Sequence, residues 1–156
     1  MNKVAQPKKT IPVKQGLYKI PVSENEKPAL IGCHCPSCGE TLFPKRDICQ
    51  NCQSANLEEI TLSRRGKIYS FTIVMQRPAS CYKGIVPYAF GWVELPDGLR
   101  IESLYTGCDL DDLFIGMKVE MVLERLHEEG DNQVVCHKFR PIQEKENSLM
   151  GDTTRL

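Results

Sequence analysis

From Glu59 onward, apolar and polar residues alternate in short runs broken by turn residues, a period of two that favours strands over helices. Residues 60–74 are rich in β-branched and aromatic side chains, and Gly66 stands where one long strand could bend. Residues 88–95 and 99–105 flank Pro96, Asp97 and Gly98, a turn signal that joins two strands into a hairpin. Asp109 is placed to cap a short helical turn ending at Gly116. Residues 117–124 alternate again, residues 127–132 read as a charged turn around Gly130, and residues 134–139 supply a fifth strand. Five strands with one short helical insert, spread over residues 58–142, fit an OB-like barrel better than a sandwich, which uses more strands.

The preceding residues lack this period. Residues 1–28 carry Pro7, Pro12 and Pro21 among scattered apolar positions, which predicts an extended N-terminal arm that packs on something else. Residues 143–156 are polar and predict a flexible tail. Between arm and barrel, residues 29–57 hold Cys35-Pro36-Ser37-Cys38 and Cys49-Gln50-Asn51-Cys52. Each C-x-x-C sets two thiolates on one tight turn, and two such turns close a tetrahedral four-sulfur shell around zinc. A shell filled by four protein sulfurs has no open position, so the zinc is expected to be structural. Gly39 follows the first pair where a knuckle requires positive φ, and Pro44 breaks the arm between the pairs. Cys33 makes a rival start, C-x-C-x-x-C, and could compete with Cys35. Two alternatives use the same cysteines: a pair of disulfides, or a dithiol redox site. The expected fold is therefore mostly β, a small zinc ribbon followed by a five-stranded OB-like barrel.

Charge narrows the function. Among 156 residues, twenty basic and twenty acidic side chains cancel, which removes the positive field expected of a protein that lives on phosphate backbones. Residues 1–14 hold Lys3, Lys8, Lys9 and Lys14 without an acid, a solvated arm or a docking segment for an acidic partner. The chain opens on no leader-like segment and contains no long apolar run, so a soluble cytoplasmic protein with reduced thiols and no membrane association is expected. A catalyst is hard to assemble. Cys81, beside Tyr82 and Lys83, is the best nucleophile candidate; Cys108 adjoins Asp109, Cys136 lies in a strand, and His34, His127 and His137 are scattered. No active site complete within the chain is expected.

Taken together, Cys35-Pro-Ser-Cys38-Gly39, Phe43-Pro44-Lys45-Arg46, Cys49 and Cys52, then residues 66–72, Pro87-Tyr88-Ala89-Phe90, Leu95-Pro96-Asp97-Gly98 and residues 115–119, resemble one family over residues 30–142. It is the family of zinc-ribbon, OB-fold proteins associated with acyl-CoA enzymes and encoded beside thiolases. Within it, the chain looks most like the small subunits of benzoylsuccinyl-CoA thiolases of anaerobic toluene breakdown. Many relatives carry a clearer helix where this chain has its Pro-rich arm. The resemblance implies a non-catalytic zinc-binding subunit that docks on a thiolase-like catalytic subunit and helps form or shield the acyl-CoA site. Such a role asks for cations, aromatic walls and exposed apolar surface. Arg77, Tyr82, Lys83 and Tyr88, in the connection between two barrel strands, and Phe43 and Arg46, on the ribbon arm, are the residues expected to contact acyl-CoA or the partner. Trp92 is expected in the core or at the partner interface. The competing reading is a module for single-stranded nucleic acid, since ribbons and OB barrels both serve that purpose. Zero net charge, and aromatics at only 7% of residues, weigh against it.

Overall fold

The computed structural model describes residues 9–78 and 84–142, which form ten strands and one short 3-10 turn. The strands are β1 (Lys9–Pro12), β2 (Tyr18–Lys19), β3 (Ala29–His34), β4 (Thr41–Leu42), β5 (Glu58–Thr61), β6 (Arg65–Val74), β7 (Tyr88–Glu94), β8 (Arg100–Tyr105), β9 (Lys118–Glu129) and β10 (Asn132–Pro141). The last five close on themselves in the order β6-β7-β8-β10-β9, with β9 returning to β6. Every neighbouring pair is antiparallel except β8 and β10, which run parallel through Leu104 opposite Lys138 and Tyr105 opposite Phe139. A parallel pair cannot be joined by a hairpin. The crossover is supplied by the 3-10 turn Leu110–Asp112 and by β9. Each of the five strands has a neighbour on both sides, and small residue-filled barrels of this kind need no internal channel. The inward positions are Ile68, Val93, Ile101, Val119, Met121 and Phe139, all at most 1% exposed.

The first barrel strand is shorter than its apolar pattern suggests. Residues 60–74 are divided: β5 pairs with the ribbon's β3, and β6 belongs to the barrel. The break falls at residues 62–64, ahead of Gly66, because side chains pin it there. Ser63 N–H donates to the Asp97 carboxylate at 2.9 Å. The Arg64 guanidinium donates to the carbonyls of Pro28 at 2.7 Å and Met121 at 3.1 Å. Within β6, Ile68 faces Val93 but Ser70 faces Trp92, so Tyr69 is an extra, outward-turned residue. The Tyr105 hydroxyl, reaching from inside the barrel, lies 3.0 Å from the carbonyls of both Ser70 and Trp92 beside this bulge. Desolvation pushes that hydroxyl's pKa up to about 12, so it stays a donor.

At the far end, β9 and β10 pair as far as Glu129 opposite Asn132. The charged turn expected over residues 127–132 is thus confined to Gly130 and Asp131, and Leu126 forms a bulge opposite the Val134/Val135 step. Asp109 precedes the 3-10 turn without a side-chain capping bond.

The ribbon sheet is built on β3, which pairs with β2 on one side and with β4 and β5 on the other. Part of the N-terminal segment joins the barrel: β1 lies parallel to β10 from Lys9 opposite Asn132 to Pro12 opposite Val135. Val13 N–H extends this ladder to the Val135 carbonyl at 2.9 Å. Tyr18, 5% exposed, donates its hydroxyl to that same carbonyl.

Gly91 marks the tightest approach of β6 and β7: a Cβ there would sit 2.1 Å from the Ser70 carbonyl oxygen and 2.7 Å from the Phe71 Cα. Both are backbone atoms of a closed barrel and cannot swing aside. Gly91→Ala is expected to lower unfolding stability by about 2 kcal/mol or more, read from urea or thermal melts. A loss under about 0.5 kcal/mol would show that the strands separate freely.

Candidate metal centre and partner-contact residues

The two C-x-x-C turns fold as near copies of one another. In the first, Cys35 N–H donates to the Glu40 carbonyl and Gly39 N–H returns to the Cys35 carbonyl, both at 2.8 Å. In the second, Cys49 N–H donates to Ser54 and Gln53 N–H returns to Cys49, both at 2.9 Å. The residue after each pair takes positive φ, +78° at Gly39 and +62° at Gln53. Glycine signalled this in the first knuckle, whereas glutamine concealed it in the second. These turns bring the Sγ atoms of Cys35, Cys38, Cys49 and Cys52 within 4.8 Å of one another. Cys35 and Cys52 are 3.5 Å apart, and Cys38 and Cys49 are 3.6 Å apart. A tetrahedron with zinc–sulfur bonds of about 2.3 Å has edges of about 3.8 Å, so the shell fits zinc closely. Four sulfurs complete the coordination, which makes the metal a staple and not a Lewis acid. Cys33 stays out of the shell: it is 0% exposed and packs with Leu42 and Leu57 in a small core beneath the knuckles.

His137 on β10 ties this ribbon to the barrel. Phe43 of the ribbon meets the His137 ring edge-on at 6.5 Å between centroids, and Tyr18 meets it at 6.0 Å. The imidazole Nε2 lies 3.2 Å from the Glu102 carbonyl, while Nδ1 is sealed from water without a hydrogen-bond partner among the described residues. Part of the ring reaches the surface, but its polar atom does not. Desolvation therefore holds the His137 pKa below that of a free imidazole, against the opposing pull of the Glu102 carbonyl. Nothing in a lone histidine within a strand marked this junction; the aromatic partners lie more than ninety residues away in sequence.

The residues expected to meet acyl-CoA or a partner are placed on two separate parts of the chain. Phe43 is half-buried and engaged with His137, whereas Arg46 beyond it is exposed. Arg77 is exposed after β6, and Tyr88, half-buried, starts β7 opposite Val74. Tyr82 and Lys83, with Cys81, lie outside the described residues, as do the expected tail and the first lysines of the arm. Trp92 is 42% exposed on the outer face of β7, so it is no core residue. The described nucleophile candidates are poor ones. Burial raises the Cys108 thiol, with Asp112 and Asp109 adding to the effect, and burial also raises Cys136.

Two domain profiles match this arrangement in sequence order: the ChsH2 rubredoxin-like zinc ribbon over residues 26–58, and the ChsH2 C-terminal OB-fold domain over residues 59–124. A DUF35 domain-containing scaffold protein of Methanocaldococcus jannaschii is 40% identical over 121 residues, covering 76% of this chain and 85% of its own. The chain belongs to the ChsH2/DUF35 family. Another relative, benzoylsuccinyl-CoA thiolase subunit BbsA of Geobacter metallireducens, is 34% identical over 116 residues, covering 74% of this chain and 76% of that one. Among solved structures, the Ltp2-ChsH2(DUF35) aldolase superposes with a TM-score of 0.58 at 26% identity, over 72% of this chain and 84% of the other. As a ChsH2/DUF35 protein the chain combines the ribbon and barrel that its motifs suggested, with the four cysteines of a structural zinc site.

Two outcomes follow from the site. Cys49→Ser is expected to abolish bound zinc and unfold the ribbon, whereas Cys33→Ala retains one zinc per chain by metal analysis; zinc loss in Cys33→Ala would put that thiol in the shell. For His137 the sign is fixed by its lowered pKa. The folded state prefers the neutral ring, so its stability is full above the unfolded value of about 6.5 and falls as pH drops below it toward the folded pKa. Urea midpoints between pH 7.5 and pH 5.5 are expected to fall less in His137→Phe than in the unsubstituted chain; equal falls would remove His137 as the cause.

Proposed function

We propose that this chain is a non-catalytic, zinc-stapled accessory subunit of a thiolase-type acyl-CoA enzyme. It would dock on the catalytic subunit and help shape or shield the acyl-CoA site. The observation that carries this reading is the shared ribbon-plus-barrel unit, matched across most of their lengths in a thiolase subunit, in scaffold proteins and in an aldolase assembly. The chemistry agrees: burial raises the thiols of Cys108 and Cys136, and His137 is locked into a junction. Arg46, Arg77, Tyr82, Lys83 and Tyr88 remain the proposed contacts, joined by Phe43 at the root of the ribbon arm. Benzoylsuccinyl-CoA, the acyl-CoA of anaerobic toluene breakdown, is the first substrate to try, because two of the relatives are named for its thiolysis. A cytoplasmic setting suits both the substrate class and a four-thiolate zinc shell.

One observation favours a second reading. Trp92 is 42% exposed on the barrel's outer surface, where single-stranded nucleic acid could stack.

The deciding experiment is gentle native purification of the tagged chain, with identification of bound proteins and an assay of CoA-dependent thiolysis using benzoylsuccinyl-CoA. A stoichiometric thiolase-like partner, with activity that neither chain shows alone, is the expected result. Recovery without such a partner would defeat the accessory-subunit reading, and oligonucleotide binding that falls steeply with salt would replace it with the second.

A further inference from the structure

β9 leaves β6 early. It pairs with Arg65, Gly66 and Lys67, and Ile68 ends the contact by donating its N–H to the Met117 carbonyl at 3.0 Å and accepting from Gly116 N–H at 2.8 Å. Beyond this point β6 keeps only β7, from Ser70 opposite Trp92 to Val74 opposite Tyr88. In an antiparallel pair every second residue turns its N–H and carbonyl away from the partner strand. Among the described residues no strand meets those groups, so residues 70–74 form an edge open on one side. Apart from the bulge at Tyr69, the edge lacks the usual protection: residues 69–76 contain no charge and no proline. Phe71, Thr72, Ile73 and Val74 are strong strand formers, and Thr72 at the centre is exposed.

The two ends of this edge differ. One is bordered by the turn that Gly116 anchors, which presents Phe114 and Ile115; the other runs out into Met75. These three side chains are 58%, 68% and 70% exposed. Asp111 and Asp112 precede Phe114, and Arg77 follows Met75. All three charged residues are exposed, and none forms an ion pair among the described residues. The strip is therefore apolar and acidic at one end, apolar and basic at the other.

We propose that this edge pairs with the same edge of a second copy of the chain, antiparallel about a two-fold axis near Thr72. Antiparallel pairing reverses the strip, so the acidic end of each copy meets the basic end of the other, and the contact occurs twice. A parallel pairing would bring like charges together. Centred on Thr72, the pairing sets Ser70 opposite Val74 of the second copy and carries that copy's next residues to Ile68. Lys67 is already matched with β9, so the incoming chain turns out over residues 111–115. Met75 then packs on Phe114 and Ile115, and Arg77 reaches Asp111 and Asp112. Thr72 faces its own counterpart, a favourable cross-strand pair. The dimer is independent of the accessory role, with which it shares Arg77.

The test is sedimentation velocity of the zinc-loaded full chain from micromolar to submillimolar concentration. A reversible dimer with no larger species is expected, because a two-fold contact uses up the edge. Arg77→Glu and Asp111→Arg/Asp112→Arg are each expected to weaken the dimer roughly tenfold or more, since each sets like charges together twice. Mixed in equal amounts, the two variants are expected to recover it, because each then meets its opposite at both ends. Arg125→Gln, at the distant β9–β10 hairpin, is expected to change nothing. The substituted positions are exposed, so the variants are expected to melt with the unsubstituted chain, which separates lost association from lost folding. A dimer that survives both charge reversals overturns the proposal, as does a mixture that fails to recover it. A chain that stays monomeric also overturns it, including one whose amides at residues 70–74 become protected from hydrogen exchange only when a catalytic subunit binds. Because the isolated chain is measured, a negative result leaves the accessory role standing, and failure to capture a catalytic subunit leaves the dimer standing.

Discussion

β8 pairs with β10 only through Leu104 opposite Lys138 and Tyr105 opposite Phe139, so the barrel closes with part of β10 unmatched on that side. β8 takes Lys138 and Phe139, leaving the backbone of residues 132–135 as an edge inside an otherwise closed structure. An exposed edge invites pairing with foreign strands. Here β1 fills it, and Val13 and the Tyr18 hydroxyl both use the Val135 carbonyl where the ladder ends. Tyr18 then carries the chain against His137, and Phe43 of the ribbon packs on the same imidazole. The short pairing of β8 with β10 thereby organises arm, barrel and ribbon around one strand.

The ribbon depends on a different force. Its own buried cluster is only Cys33, Cys35, Leu42 and Cys49, with Leu57 alongside, too small to offset the ordering entropy of the segment. Zinc supplies the difference, on the order of 10 kcal/mol in comparable small folds. The metal accordingly fixes the geometry of the arm that bears Phe43 and Arg46. That arm is rigid only if the barrel junction is also intact, since β5 on the ribbon and β6 on the barrel are consecutive strands separated by the Arg64 clamp.

Charge on this molecule is balanced overall and uneven locally. Pairs such as Lys45–Glu59 at 2.7 Å and Arg125–Glu128 at 3.1 Å are exposed and contribute little to stability. Arginine's fork and its stacking on Tyr69 draw Glu94 to Arg100 across the β7–β8 pair. Net charge argues against a polyanionic partner.

The sequence by itself determined the elements whose cause is local. Cys35, Cys38, Cys49 and Cys52 announced the metal because knuckle chemistry is set by spacing, and the period-two runs announced the strands because each has one face inward. Gly98 and Gly130 located turns for the same reason. What tertiary structure decided was everything that depends on register. The single run over residues 60–74 became two strands because Arg64 and Ser63 find partners on Pro28, Met121 and Asp97, contacts no local pattern encodes. Gly66 and Gly91 turned out to permit close strand approach, and Gln53 takes a positive φ that glycine would have advertised. Lys67 and Lys118 lie fifty-one residues apart in the chain, and Tyr18, Phe43 and His137 span more than a hundred. Their meeting is fixed by which strands pair and by how many residues each pairing runs, and that is a property of the closed barrel as a whole.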